Sequence, residues 1–302
     1  MKAAFLPARG VVQVSGADAR KYLNGLFTSD VTRLHPGEAR FAALLQPQGK
    51  IIVDFLVTQA PSEDAASDTA ERFLLDCPRE MAQTLADRLG LYKLRAKVMI
   101  ENLSDRLGVI AAWDGEMAAT PELGFADPRQ AALGWRIVAA ESELPSIAGR
   151  IGAEIVTEAA YEAHRIDSST PLGGLDFAYG DAFPHETNMD RLHGVDFAKG
   201  CYVGQEVVSR MQHRGTTRTR AGQVLFDASG PGSSPAPGTP ITAGDKTVGT
   251  LGSVADHKGM AMLRLDRIAD AVQAGLPLTA GGLTIRVADF EALQGLLKKT
   301  VA

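Results

Sequence analysis

Cysteine is scarce in this chain: Cys77 and Cys201 are the two among 302 residues. Two thiols cannot build a disulfide framework, so free thiols in a reducing compartment are expected. Long apolar runs are missing too. No segment reaches the ~18 apolar residues of a membrane-crossing helix, and residues 1–10 lack the apolar run of a signal peptide. A soluble, cytoplasmic protein is expected. Positive charge is not in excess, with 31 Lys and Arg against 36 Asp and Glu and a net charge of −5. That balance argues against a dedicated nucleic-acid binder, although local basic patches remain open. No Gly-x-x-x-x-Gly-Lys-Ser/Thr phosphate loop occurs, and no cysteine–histidine spacing suits a metal. His185, His193 and His213 lie close in sequence, at intervals that match no metal site.

What is present fits a globular protein of two or three domains, 45% hydrophobic and 22% charged. Ser15-Gly16-Ala17-Asp18 reads as a helix start with Ser15 as N-cap, followed by Tyr22, Leu23 and Leu26 at helical spacing. Residues 41–45 and 51–58 read as strands of a hairpin around Gln46-Pro47-Gln48-Gly49. Asp54 falls inside the second strand, where a charge is costly unless it is paired or faces a cleft. The acidic run 61–71 reads as a solvated excursion. A helix over 79–89 and strands near 72–76, 97–101, 107–112 and 134–138 suit a compact α+β sandwich. A helix is expected over 157–166.

Residues 167–189, with Pro171, Gly173, Gly174, Gly180 and Pro184, read as a long irregular loop, and loops of this length inside compact domains are often functional. Three glycines and four prolines within 228–240 mark a boundary. The short strands and glycines beyond it have the cadence of a small β-barrel.

The chemistry concentrates in Lys199-Gly200-Cys201-Tyr202-Val203-Gly204-Gln205-Glu206 and the Val207-Val208-Ser209-Arg210 that follow. Cations at Lys199, Arg210 and Arg214 can stabilise a thiolate at Cys201; a buried structural cysteine is the plain alternative. Gly200 and Gly204 let the backbone turn or approach a ligand. Gln205 and Glu206 offer donors and acceptors for the edge of a flat heterocycle, or else a capped turn opening a strand. The basic run 210–220 could hold a polyanion such as a glutamate tail or RNA, or simply be a solvated loop.

The Lys-Gly-Cys-Tyr-x-Gly-Gln-Glu stretch, with Arg210 and Gly215, resembles the signature of the YgfZ family. These are folate-binding proteins linked to iron–sulfur cluster assembly and to tRNA modification, and related to the aminomethyltransferase (T-protein) of glycine cleavage. Residues 14–31, the hairpin 44–51 with Asp54, and Arg165-Ile166-Asp167 with Pro171, Gly174, Asp176, Pro184 and Glu186 resemble further family pieces in the family's order. The resemblance implies an α+β, three-domain aminomethyltransferase-like fold. A discontinuous folate-binding domain (1–45 with 145–220) would hold a ferredoxin-like inserted α+β domain (46–144), with a C-terminal β-barrel over 221–302.

Tetrahydrofolate, or another folate derivative, is the implied cofactor. Asp167, Arg165, Tyr202, Gln205, Glu206 and Arg210 are the implied binding residues, and Cys201, Lys199 and Asp54 the reactive ones. Folate and iron–sulfur client or assembly proteins are the expected partners, with no membrane and no direct RNA contact expected. Two departures from the aminomethyltransferases weigh against glycine-cleavage chemistry. Their adjacent acidic pair in the hairpin strand reads Val53-Asp54 here, and their Arg-x-Glu-x-Gly element reads Arg165-Ile166-Asp167-Ser168-Ser169. A tetrahydrofolate-dependent aminomethyltransferase or demethylase remains the alternative to a cluster-assembly factor.

Overall fold

A computed structural model describes residues 1–61, 71–117, 121, 123–215, 217–227 and 234–298. Most of the acidic excursion and part of the 228–240 boundary lie outside the described residues. The chain divides into two compact units, Met1–Tyr161 with Asp190–Gln205, and Glu162–Met189 with Glu206–Ala302.

The first unit runs β1 (Lys2–Phe5), β2 (Arg9–Gly16), α1 (Ala19–Asn24), β3 (Ala39–Leu45), β4 (Ile51–Ala60) and β5 (Glu71–Pro78). There follow α2 (Ala82–Tyr92), β6 (Met99–Asn102), β7 (Gly108–Trp113), β8 (Gly124–Ala126), β9 (Trp135–Ala139), α3 (Leu144–Ile151) and β10 (Glu154–Ile155). One sheet has the order β3-β4-β5-β2-β6, the other β10-β1-β7-β9-β8. The central strands of the first sheet are buried along almost their whole length. Side chains alternate across a strand, so Val53, Phe55 and Val57 share one face, packed with Leu23, Phe27, Leu85 and Leu89 from the segments of α1 and α2. Asp54, Leu56 and Thr58 take the opposite face. In the second sheet Ala3, Ile110, Ala112 and Ile137 bury against Ile147, Ala148 and Ile151 of α3.

The expected helix start at Ser15 is corrected. β2 continues through Ser15, which pairs with Arg72 and Met99, and Asp18 takes the N-cap position. Strand pairing on both sides of β2 overrides the local capping pattern. The hairpin is found, with its turn closed by Gly49 N–H donating to the Gln46 carbonyl.

The second unit includes most of α4 (Glu158–Asp167) and α5 (Gln205–Arg214), then β11 (Thr219–Phe226), β12 (Pro240–Ala243), β13 (Lys246–Ala255) and β14 (Lys258–Arg264). α6 (Leu265–Gln273), β15 (Leu278–Ala280), β16 (Leu283–Val287) and α7 (Phe290–Lys298) complete it. The strands close into a barrel in the order β11-β14-β13-β12-β15-β16, which leaves no open sheet edge. Val224, Ile241, Val248, Leu251 and Leu263 fill its core with Ile268 of α6.

Candidate functional site

The cysteine motif lies in the first unit up to Gln205, and it is pinned at two points. Lys199 is 8% exposed, and its Nζ donates to the carbonyls of Asn24 (2.9 Å), Phe27 (2.6 Å) and Ser29 (3.0 Å). An ammonium has three donors, so all are spent on the loop that follows α1 and none is left for the thiol. Burial lowers Lys199 from its ordinary range to about 8, while Asp30 and Asp196 act to raise it. The second pin is Gly204. Its φ is +81°, and a Cβ there would lie 2.6 Å from the Gln46 carbonyl oxygen and 3.2 Å from the Gly49 Cα. Only glycine allows the backbone to lie this close to the hairpin turn.

Between the pins, Tyr202 is buried and its hydroxyl is pushed up to about 12 by burial, and Val203 packs on the core. Cys201 is exposed. Upstream, the Asp196 carboxylate accepts from the Ala198 and Lys199 backbone N–H groups, and the Asp196 N–H donates to the Thr28 carbonyl. A thiol held out between the inward-packed side chains of Lys199, Tyr202 and Val203 is available to an external group. Cys77 is its opposite: fully buried in β5, its Sγ 3.8 Å from the Gly10 carbonyl, with burial pushing the thiol up to about 12.

Asp54, 6% exposed, sits opposite Ala43 across the hairpin, and its charge acts on Arg9. Sequence reasoning missed the charges that share this region. Asp76 of β5 accepts from Arg9 at 2.5 Å and stands 3.7 Å from Arg136. Asp127 accepts from Arg129 at 2.7 Å and from Arg136 at 3.3 Å, and Arg136 also donates to the Tyr161 hydroxyl. Burial opposes ionisation of Asp127, but Arg129 and Arg136 outweigh it and hold its carboxyl at about 2. A charge inside the apolar run Phe73-Leu74-Leu75-Asp76-Cys77 was the available signal, the same signal that marked Asp54.

In the second unit Arg165 spends all five of its N–H donors internally. Nε and Nη2 donate to Glu162, Nη1 to the Thr170 carbonyl and Asp176, and Nη2 to Ser253. Asp176 in turn accepts from the Ser253 N–H and hydroxyl and from the Leu172 N–H. Gly252 makes the approach possible, since a Cβ there would fall 2.5 Å from Asp176 Oδ1. Arg165 is therefore a brace between α4, the 170–176 loop and β13, with no donor left for a ligand. Asp167 is solvent-accessible and pairs with Lys258 at 2.6 Å. Glu206 and Arg210 form an exposed i,i+4 pair at 2.5 Å on α5. Val207 and Val208 belong to that helix, not to a strand, and Glu206 in its first turn complements the helix dipole. The proposed site residues thus divide: Asp54, Lys199, Cys201, Tyr202 and Gln205 in one unit, Arg165, Asp167, Glu206 and Arg210 in the other. Among the described residues no group of three His, Cys, Asp or Glu could hold a metal ion, and no helix is long and apolar enough to cross a membrane.

The fold is that of the aminomethyltransferases, α+β with a C-terminal closed barrel. The crystal structure of glycine cleavage system aminomethyltransferase T from Bartonella henselae matches with a TM-score of 0.69, over 96% of this chain and 86% of that one, at 16% identity. Residues 8–113 match the GCVT N-terminal domain and residues 218–293 the CAF17 C-terminal beta-barrel domain. The chain belongs to the family of the iron–sulfur cluster assembly factor IBA57. It is 31% identical to the human mitochondrial protein over 284 residues, covering 87% of this chain and 77% of that one, with the same figures for the mouse protein. The homologue of Mycosarcoma maydis is 37% identical over 239 residues, 76% of this chain, and the chain spans 58% of that protein's length.

These names bear out the aminomethyltransferase-like fold and the link of the chain's family to iron–sulfur cluster assembly, under the name IBA57. They also overturn the expected cytoplasmic location, because the relatives are mitochondrial. That expectation rested on the lack of an apolar leader, and mitochondrial transit segments are amphipathic rather than apolar.

Proposed function

We propose that this protein is a folate-binding accessory factor for assembly or repair of iron–sulfur clusters, acting on cluster enzymes that include tRNA-modifying ones, and that it stands on the YgfZ branch of its family. The observation that carries the proposal is the exposed Cys201 on a loop fixed by Lys199 and Gly204. Clusters commonly take four thiolates, and Cys77 is buried and protonated. Cys201 therefore contributes one thiolate to a cluster in transit, and the partner protein or a small thiol contributes the rest.

A folate is the proposed ligand. Asp167 and Glu206 are carboxylates accessible to the N–H groups of a pterin, Arg210 is an accessible cation for the glutamate tail, and Tyr202 and Gln205 border the thiol loop. Arg165 enters as the brace behind Asp167. Bound tetrahydrofolate would supply one-carbon acceptor chemistry. Asp54, retained and buried, favours a second reading as a one-carbon transferase or demethylase. The domain division, 1–45 with 145–220, 46–144 and 221–302, is part of the same proposal; its first boundary falls in the turn of the β3–β4 hairpin.

The test is Cys201→Ser, assayed for tetrahydrofolate affinity by calorimetry and for rescue of cluster-enzyme activity in cells lacking the native protein. Folate affinity within about twofold of wild type and loss of rescue are expected. Full rescue refutes the thiolate role, and turnover of a methylamine donor with tetrahydrofolate would replace the assembly reading with the transferase one.

A further inference from the structure

A second surface of the first unit combines unpaired positive charge with exposed apolar side chains. Residues 88–100 hold four cations and no acid in a chain of net charge −5. Lys93, Arg95 and Lys97 are exposed and have no acidic partner among the described residues. Asp18 accepts from the Lys97 backbone N–H at 2.7 Å, and Glu101 of β6 pairs with Arg106. Three large apolar side chains stand among these cations: Leu91, Leu94 and Met99, with Leu94 91% exposed. Leu94 has a φ of +41°, a conformation that costs a leucine energy and persists where the surroundings impose it. Here the Ala96 N–H to Lys93 carbonyl bond and the Asp18 contacts impose it.

β6 is an end strand of its sheet. Its partnership with β2, continued by the Leu103 N–H to Val11 carbonyl bond, turns the backbone groups of Met99 and Glu101 inward by alternation. Those of Ile100 and Asn102 face the open edge. An apolar patch, unpaired cations and an open edge thus lie together where α2 ends and β6 begins; Asn102 Nδ2 donates to Gln83 of α2.

We infer that this surface docks an acidic, extended segment of a partner protein, which adds to the β6 edge as a strand and seats apolar side chains on Leu91, Leu94 and Met99. The open edge favours a peptide, because only a backbone can complete a ladder. A second copy docking by the same patch would set like charge against like.

The experiment uses the full chain and a fluorescein-labelled decapeptide of alternating Glu and Val, with a Lys–Val decapeptide, poly(U) RNA and phosphatidylserine vesicles as comparisons. The Glu–Val peptide binds, the Lys–Val peptide does not, and affinity falls severalfold between 50 and 300 mM salt. The triple variant Lys93→Gln, Arg95→Gln, Lys97→Gln loses at least tenfold, and Leu94→Ser loses severalfold. Both variants keep the wild-type circular dichroism, since the changes are on the surface. Amide exchange at Ile100 and Asn102 slows on binding. Equal binding by wild type and triple variant, or unchanged exchange at those two amides, overturns the inference. So does preferential, patch-dependent binding of RNA or vesicles.

Discussion

Replacing Lys199 by Met keeps the side-chain volume and removes three donors from three carbonyls. Each hydrogen bond from a charged donor contributes about 1.5–3 kcal/mol, so the three together stabilise by roughly 5–9 kcal/mol. Burial of the ammonium takes part of this back. Its lowering from 10.5 to about 8 corresponds to about 3 kcal/mol at ~1.4 kcal/mol per pH unit. The net loss expected for Lys199→Met is therefore about 2–6 kcal/mol, read as a lowered urea midpoint at pH 7 with unchanged m-value. The loop from Asp196 to Val203 also loses its hold on the residues after α1. The reaction of Cys201 with an aromatic disulfide reagent should then change in rate, while its single-thiol stoichiometry holds. A variant as stable as wild type, with an unaltered thiol rate, would show that the three-carbonyl seat does not position the motif and would return Lys199 to the role of a reactive group.

Gly204→Ala puts a Cβ against the Gln46 carbonyl at a left-handed φ and should cost about 1–3 kcal/mol, measured by thermal unfolding; a neutral result would mean that the motif does not rest on the hairpin turn. Asp176→Asn leaves the Arg165 guanidinium buried with one charge partner fewer, and a loss of about 3–5 kcal/mol is expected, with Arg165→Lys also destabilising because a lysine supplies fewer donors. For Asp127, folding depresses the carboxyl from 3.8 to about 2. As pH falls the unfolded chain takes up its proton first, so about 2.5 kcal/mol of stability present above pH 4 is lost by pH 2. Urea midpoints across that window should be flatter in Asp127→Asn, and parallel curves would refute the assignment. Native protein at pH 8 should react with a thiol reagent at Cys201 alone, with Cys77 labelled after unfolding.

The features legible in the sequence are those whose cause is local. The β3–β4 hairpin announced itself through Gln46-Pro47-Gln48-Gly49, the barrel through its glycines, and the thiol loop through its unusual order of polar groups. Ser15 misled because its capping pattern is genuine, yet two neighbouring strands claim its backbone. Val207-Val208 misled because a β-branched pair reads as a strand when the i,i+4 pairing of Glu206 with Arg210 goes uncounted. The charge of Asp76 inside an apolar run was legible, but its joining with Arg9, Asp127, Arg129 and Arg136 into one buried network was invisible for a different reason. Its members are spread over more than a hundred positions, and no local pattern says that β2, β5 and β9 bring them within reach. Arg165 shows the reverse error: a residue type suited to ligands, fully occupied in holding its own loop.

The two pins of the thiol loop make the interval from Lys199 to Gly204 a ruler. One end is fixed by an ammonium in a nest of carbonyls, the other by a backbone pressed on a turn, and neither can slide without losing its contacts. An inserted or deleted residue between them would shift the sulfur by up to ~3.5 Å, against a tolerance of about 0.2 Å for a bond to metal. Substitutions at Gly200 test composition; a change of length tests reach. For the thiolate role proposed for Cys201, reach is the more exacting demand.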